Sequence, residues 1–231
     1  MDHATAHPTT EPTAMEPTAT DPTRTAAAVS VPVSASASGS GSGAAAGVTA
    51  SAPATATATV RVMTAADVPE VAEIRVRGWR HAYAGLVPAS YLAALRPEDT
   101  ARRTLDRLAD PTRTGTDLVA VSADGTVLGW TAYGPDPDPD PDPDPPAGSA
   151  YVLHALYVRP DLIGTGLGRA LLTAVHDALP PAATVTLWVL RDNARARRFY
   201  ARAGYAPDGT EDSDLYDGTP VPELRYRRPS P

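Results

Sequence analysis

Three closely spaced glycines lie between a run of apolar residues and an amphipathic stretch. They are Gly164, Gly166 and Gly168, within LHALYVRPDLIGTGLGRALL at residues 153–172. Glycine permits left-handed backbone angles and close approach of a ligand, and a helix N-terminus offers unpaired N–H groups and the positive end of the helix dipole. This order of strand, glycines and helix predicts an anion-binding loop, with an ordinary tight turn as the alternative.

The residue types around the loop narrow the choice of anion. A dinucleotide-binding fingerprint needs glycine or alanine where this chain has Arg169, and a P-loop needs a lysine. The sequence contains no lysine and no cysteine, which also excludes Schiff-base chemistry, a thiolate nucleophile and cysteine-ligated metals. The pyrophosphate of coenzyme A remains as the ligand.

Two further pairs of residues have the spacing of one helix face. Asn193 and Tyr200 lie seven apart in RDNARARRFYARAGY, so a helix that begins near Asn193 places both on roughly one side. Trp79 and Tyr83 lie four apart in WRHAYAGLVPASYL. The second pair is interpreted equally as an aromatic wall of a substrate site or as plain packing.

Together these segments resemble the GNAT superfamily of acyl-CoA N-acyltransferases. The phosphate loop of that family reads Arg/Gln-x-x-Gly-x-Gly/Ala, and residues 163–168 match both glycines, with Ile163 at the first position. Residues 191–205 match the family's later motif of Asn, Phe-Tyr and Gly-Phe/Tyr. The resemblance covers the chain after its N-terminal tail.

The resemblance implies an acetyl-CoA site and a role for Tyr200. Asn193 is expected beside the pantetheine arm, and Tyr200 beside the thioester sulfur, where its phenol can protonate the departing thiolate because it is still protonated at neutral pH. Replacement of the usual Arg or Gln by Ile163 predicts weaker cofactor binding, with Arg169 as a substitute source of charge. The residues expected to bind the cofactor are Leu156, Tyr157, Val158, Ile163, Gly164, Thr165, Gly166, Leu167, Gly168, Arg169, Asn193 and Tyr200.

The general base is not fixed by the resemblance. Relatives that use a strand glutamate place it where this chain has Val152, which cannot accept a proton. His154 shares the strand face with Val152 by the two-residue period, so it is either a base, acting directly or through water, or a structural histidine. The remaining histidines lack the spacing of metal ligands, so no metal is expected.

Alternating strand and helix patterns after residue 57 predict the elements that position these residues. We expect an α/β (α+β) fold with a mixed, mostly antiparallel central sheet flanked by helices, over residues 58–228. A strand at 60–63, a helix after Thr64, helical stretches at 91–95 and 100–108, and a hairpin over 118–133 lead to the strand, loop and helix described above. A strand at 185–190, a helix at 194–203 and two final strands complete the sheet.

Two low-complexity segments are set apart from this domain. Residues 1–57 are mostly Ala, Thr, Pro, Ser and Gly, and we expect a disordered tail, which is either a docking segment or an over-extended gene start. Residues 135–146 alternate Pro and Asp and predict a stiff acidic loop. A calcium site there is the less favoured alternative, because the rod has no glycine turn to bring ligands together.

The net charge and the pattern of apolar residues limit the classes of partner that the protein can have. The net charge of −7 disfavours nucleic acid, and the absence of a long apolar run or a signal-like start predicts a cytoplasmic protein without a membrane segment. The expected function is an N-acetyltransferase that uses acetyl-CoA and acylates a primary amine of a small molecule or a protein N-terminus by direct attack. A non-catalytic acyl-CoA-binding sensor is the alternative, and the protein is expected to be a monomer or a homodimer.

Overall fold

The computed structural model of the chain describes residues 29–33, 56–137, 139 and 150–229. Eight strands form one sheet in the order β1-β2-β3-β4-β5-β6-β8-β7. The strands are β1 Val29–Val33, β2 Ala56–Val62, β3 Thr116–Val121, β4 Val127–Pro135, β5 Ala150–Val158, β6 Thr184–Leu190, β7 Ala206–Tyr216 and β8 Thr219–Arg228. The helices are α1 Val68–Ala82, α2 Ala89–Ala94, α3 Pro97–Ala109, α4 Leu167–Ala178 and α5 Ala194–Arg202.

The sheet is antiparallel at every junction except one. Strands β5 and β6 are parallel neighbours, because α4 crosses over between them, and all other neighbouring pairs run antiparallel. The expected mixed, mostly antiparallel sheet with flanking helices is confirmed. Both hairpin strands expected between residues 118 and 133 are present as β3 and β4.

Helices cover both faces of the sheet and bury two cores. On one face, Leu167, Leu171 and Val175 of α4 pack against strand residues such as Leu118 and Leu187. On the other face, apolar residues of α1 pack against β3 and β4. Each fully buried side chain of this kind contributes about 1.5–3 kcal/mol of transfer free energy, so the helices are held by their apolar faces.

A buried carboxylate fixes α3 against the sheet. Asp117 of β3 is 1% exposed and accepts hydrogen bonds from Arg107 at 2.8 and 2.9 Å and from Trp130 Nε1 at 2.8 Å. Arg113 forms a further short ion pair with the same carboxylate. A buried charge is tolerated only when it is paired and hydrogen-bonded, so this network ties the end of α3 and the following loop to β3.

The first strands differ from the sequence-based expectation. Strand β1 lies inside the segment expected to be disordered, and its backbone pairs antiparallel with β2, from Val29 opposite Val60 to Val33 opposite Ala56. The alternating valines of VSVPV suit an edge strand, a pattern too short to stand out among the small residues around it. The other residues of the 1–57 tail before Ala56, and most of the Pro-Asp loop, lie outside the described residues. Among the helices that are described, none is long and apolar enough to cross a membrane.

Candidate active site

The parallel strands β5 and β6 separate after three residue pairs. They are in register only at Ala150 with Thr184, Tyr151 with Val185 and Val152 with Thr186. Beyond these pairs, residues 153–158 continue to pair with β4, and residues 187–190 continue to pair with β8. A wedge-shaped gap therefore opens within the sheet, and the backbone N–H and C=O groups along it are available to a ligand.

The glycine loop begins where β5 ends. A 3-10 turn, Pro160–Leu162, leads into the loop, and α4 starts at Leu167 with Gly166 as its N-cap at φ 93°. Gly164 has the same φ, and a Cβ added at either glycine would meet no atom within 4 Å. The positive φ angles require glycine, and the open space above them leaves the first-turn N–H groups of α4 accessible, as an anion cradle requires.

Contacts of Gly168 link the loop to the gap. A Cβ placed there would lie 3.6 Å from Leu156 of β5 and 3.6 Å from Phe199 of α5. Leu156 and Val158 pack into the core beneath α4, so their backbone groups, rather than their side chains, face a ligand in the gap. Near the loop, Ile163 is half-buried and Arg169 is exposed.

Helix α5 begins where the Asn-to-Tyr spacing predicts. Asn193 is the N-cap, and its side chain accepts a hydrogen bond from the backbone N–H of Ala196 at 3.0 Å. Capping uses Oδ1 and leaves the Nδ2 hydrogens to donate elsewhere. The helix ends at Arg202, and Gly204 follows it with φ 89°, so the spacing of cap, aromatic pair and glycine turn is set by the geometry of one short helix.

Tyr200 lies on α5 with its ring among other aromatic rings. The ring centroids of Phe199 and Tyr205 lie 5.1 and 5.8 Å from that of Tyr200. Burial raises the pKa of the Tyr200 phenol above its ordinary value, and the neighbouring hydroxyls of Tyr157 and Tyr205 raise it further. The phenol is therefore fully protonated at neutral pH and available as a hydrogen-bond donor.

The side chain of Tyr157 points to the opposite face from α4. Its ring stacks on Trp130 at 6.0 Å, and its hydroxyl lies 3.5 Å from the hydroxyl of Tyr83. A Cβ at Gly78 of α1 would come within 2.9 Å of the Tyr157 ring, which explains a glycine inside this helix. Any contact of Tyr157 with a cofactor in the gap is thus through its backbone.

Trp79 and Tyr83 belong to a cluster of four aromatic rings. Their centroids are 4.9 Å apart, and Tyr91 and Tyr216 each lie 5.9 Å from Trp79 and 4.9 Å from each other. These are edge-on or tilted contacts typical of packed aromatic side chains. The pair is therefore part of a packed cluster, and the hydroxyl of Tyr83 extends from it toward Tyr157.

His154 occupies a β-bulge of β5. Ala132 pairs with Ala155 while Tyr133 pairs with Leu153, which leaves His154 as the extra residue. Its side chain is exposed on one side. Protein on its other side and the charge of Arg107 lower the pKa of the imidazole, against a smaller opposing effect of Asp117. Its charged neighbours are Arg107, Asp117 and Asp136.

Two residues that the motifs do not indicate face the same side of the sheet as Tyr157. Alternation along β6 turns Val185, Leu187 and Val189 toward α4, and so turns Trp188 to the opposite face, where it is 39% exposed. Glu223 of β8 stands opposite Leu190, whose side chain packs in the cluster with Tyr216. Strand alternation could have indicated Trp188, but the position of Glu223 depends on long-range pairing.

A cavity of about 490 Å³ lies elsewhere, between α1 and α3. Its lining includes Glu73, Arg77, Glu98 and Arg159, and it contains no residue of the glycine loop or of α5. In the described part of the chain, no three His, Asp or Glu side chains are grouped so that they could hold a metal ion. The glycine loop, Asn193 and Tyr200 therefore lie outside this cavity.

Comparison with known proteins assigns the family. The sequence matches the family model described as Acetyltransferase (GNAT) family over residues 78–205. That span is more than half of the chain and includes the glycine loop, Asn193 and Tyr200. The chain belongs to the GNAT acetyltransferase family, which confirms the resemblance inferred from the two motifs.

Individual relatives agree with this assignment. The chain is 28% identical over 175 residues to a Mycobacterium tuberculosis protein named "Probable N-acetyltransferase Rv2775", covering 73% of this chain and 91% of that protein. The PaiA N-acetyltransferase of Thermoplasma acidophilum, solved with coenzyme A, superposes with a TM-score of 0.55 at 18% identity, over 74% of this chain and 97% of that one. A Corynebacterium glutamicum structure titled histone acetyltransferase HPA2 and related acetyltransferase superposes with a TM-score of 0.54 at 23% identity, over 75% of this chain and 97% of that one. Both structures share the fold.

Proposed function

We propose that this protein is an N-acetyltransferase that moves the acetyl group of acetyl-CoA directly to a primary amine of a small molecule or a protein N-terminus. One arrangement carries the proposal: the glycine loop at the start of α4 and the half-buried Tyr200 of α5 both border the gap between β5 and β6. Gly168 lies between β5 and α5, since a Cβ built there would be 3.6 Å from Leu156 and from Phe199.

The residues of the loop and gap suit coenzyme A. Open space above Gly164 and Gly166 and the free N–H groups of the first turn of α4 fit a pyrophosphate, which gains from the helix dipole. Ile163 adds no charge, so binding depends on backbone donors and on the exposed Arg169. The unpaired edge of β5 over residues 156–158 offers hydrogen bonds to the pantetheine amides, and Asn193 retains its Nδ2 donors.

The chemistry needs two contributions from the protein. Bound acetyl-CoA supplies an activated thioester carbonyl. Backbone N–H groups along the free edge of β5 are placed to stabilise the oxyanion that forms when an amine attacks that carbonyl. Tyr200 donates a hydrogen bond, and then a proton, to the leaving sulfur. Burial raises its pKa, so the hydroxyl carries its proton at neutral pH and can donate it as the thiolate leaves.

The deciding experiment measures release of free thiol from acetyl-CoA by the full chain. The acceptors are benzylamine, 1,4-diaminobutane, L-lysine methyl ester and a tripeptide with a free alanine N-terminus, and mass spectrometry identifies the acetylated product. We expect amine-dependent release with at least one acceptor. If calorimetry shows tight binding of acetyl-CoA but no acceptor causes thiol release, the protein is instead an acyl-CoA sensor. That alternative is suggested by Ile163 in place of the usual Arg or Gln and by Val152 in place of a glutamate base.

A further inference from the structure

We propose that Glu223 is the general base, which takes a proton from the acceptor amine directly or through one water molecule. The proposal rests on the proposed function and adds the residue that the family motifs leave unassigned, since Val152 occupies the strand position of a glutamate base. Glu223 is placed by strand pairing, opposite Leu190 of β6 on one side and Asp212 of β7 on the other.

Strand alternation fixes the face on which Glu223 lies. Val221 and Leu190 pack with Tyr216 in the cluster below α1 and α2, and Glu223 shares their face because it is two residues from Val221 and directly opposite Leu190. This face carries Tyr157, whose hydroxyl lies 3.5 Å from that of Tyr83. The carboxylate therefore borders the end of the gap where β6 no longer pairs with β5.

Electrostatic effects on the tyrosine pKa values relate Glu223 to Tyr157 and Tyr157 to Tyr200. Glu223 is close enough to act electrostatically on Tyr157, and Tyr157 acts in the same way on Tyr200. His154 shows no such coupling, because the charged groups that affect it are Arg107, Asp117 and Asp136. Of the two candidate bases, only Glu223 is within the electrostatic reach of the tyrosines at the site.

The groups around Glu223 favour a carboxyl that takes up a proton near neutral pH. Asp212 and Asp214 face it from β7, Tyr216 from the end of β7 and Tyr157 from β5, while Arg225 on its own strand is paired with Asp208 at 2.6 Å. Within the described residues, its side chain makes no ion pair. Burial, followed by repulsion from Asp214 and Asp212, raises the pKa of Glu223 to about 7, where a general base is most effective.

Acetyl transfer uses both Glu223 and Tyr200. The amine nitrogen forms a bond to the acetyl carbon, and its proton passes to the Glu223 carboxylate. The carbon–sulfur bond then breaks, the electron pair leaves with sulfur, and the thiolate takes a proton from Tyr200. Exchange with solvent removes the proton from Glu223 and returns one to Tyr200, so amine and acetyl-CoA give amide and free thiol.

The test compares pH profiles of kcat/KM for the full chain with acetyl-CoA and each panel amine that is turned over. Ionisation of the amine gives the same slope in every variant, and the parent should show an additional bend near pH 7 from Glu223. In Glu223→Gln the bend should disappear, and kcat/KM at pH 8 should fall by about 100-fold or more, the scale of general-base catalysis. Glu223→Asp should recover part of the rate, and acetyl-CoA affinity should stay unchanged.

Asp212→Asn is the matched control on the same face. Removal of this negative neighbour lowers the pKa of Glu223, so the bend should move to lower pH while the plateau rate is kept. This shift also decides the matter if Glu223→Gln fails to fold. A parent-like profile in Glu223→Gln, a uniform rate loss without change of shape, or an unmoved bend in Asp212→Asn would overturn the assignment. A parent that binds acetyl-CoA and acetylates no amine refutes the proposed function, and the base role with it.

Discussion

The two sides of the gap are built in different ways. On one side, where we propose that acetyl-CoA binds (the cofactor side), the loop, the start of α4 and the cap of α5 come from two short segments, residues 153–169 and 193–200. On the other, where we propose that the amine binds (the acceptor side), the residues come from five separate elements or their ends: Tyr83, Tyr157, Trp188, Tyr216 and Glu223. The first side is a local backbone structure, whereas the second exists only after the strands pair and α1 packs on them.

This difference decides what each side tolerates. The cofactor side depends on backbone angles and open space, so a change at one glycine should remove its function. The acceptor side depends on side-chain chemistry at positions held by the fold, so conservative substitutions should tune it. The predictions below test this contrast.

The largest effect is expected at the loop. Gly166→Val should weaken acetyl-CoA binding by more than 100-fold, because a β-branched residue resists φ 93° and its side chain occupies the open space above the loop. Calorimetric titration measures the affinity, and circular dichroism checks the fold. Gly125→Val is the matched control, since Gly125 has φ 89° and equally open surroundings but lies in the β3–β4 turn. Equal affinity in the two variants would show that the loop does not hold the phosphate.

A smaller and more selective effect is expected at the hydroxyl of Tyr200. Tyr200→Phe should keep the fold and acetyl-CoA affinity and lower kcat by roughly 10- to 1,000-fold, since general-acid assistance is lost. An acyl donor with a more acidic thiol should recover part of the rate, because a better leaving group needs less protonation.

Tyr83→Phe is the corresponding change on the other side of the gap. It removes a hydroxyl that lies 3.5 Å from that of Tyr157 and keeps the ring contacts with Trp79. We expect a change in the KM for the amine with kcat nearly unchanged. If both variants behave alike, the division into a cofactor side and an acceptor side is wrong.

The sequence predicts the elements of the proposed cofactor side better than those of the proposed acceptor side, for a physical reason. Glycine spacing and the Asn-to-Tyr interval are local signals: α4 follows the glycine loop directly, and α5 begins at residue 194, as predicted. The fold class follows equally from local alternation and helical periodicity. The bulge at His154, the gap after Val152 and the position of Glu223 depend on strand register, which no local pattern encodes. Trp79 and Tyr83 have one spacing for packing and for binding, so sequence alone leaves both interpretations open.

The smallest expected effect concerns how the free energy of unfolding depends on pH through His176 and Glu223. On the face of the sheet that carries α4, His176 lies 2.9 Å from the hydroxyl of Tyr205, and burial and then Arg228 lower the pKa of the imidazole to about 4. The unfolded chain binds a proton there below about pH 6.5 and the folded chain does not, so stability is lost as the pH falls toward 4. On the acceptor side, the pKa of Glu223 is raised to about 7 from 4.5, so the folded chain binds the extra proton and stability is lost as the pH rises across that window.

These two contributions have opposite slopes and should largely cancel in the parent between pH 4.5 and 6.5. Each is worth roughly 1–2 kcal/mol, given partial exposure of both side chains. His176→Gln should leave the Glu223 slope, so the free energy of unfolding of this variant should decrease with pH relative to the parent. Glu223→Gln should leave the His176 slope, so the free energy of unfolding of this variant should increase with pH relative to the parent. Urea denaturation at half-unit pH intervals measures both differences, and other titrating groups cancel because they are common to all three proteins. If both variants follow the parent curve, the pKa values of His176 and Glu223 are not shifted in the folded protein.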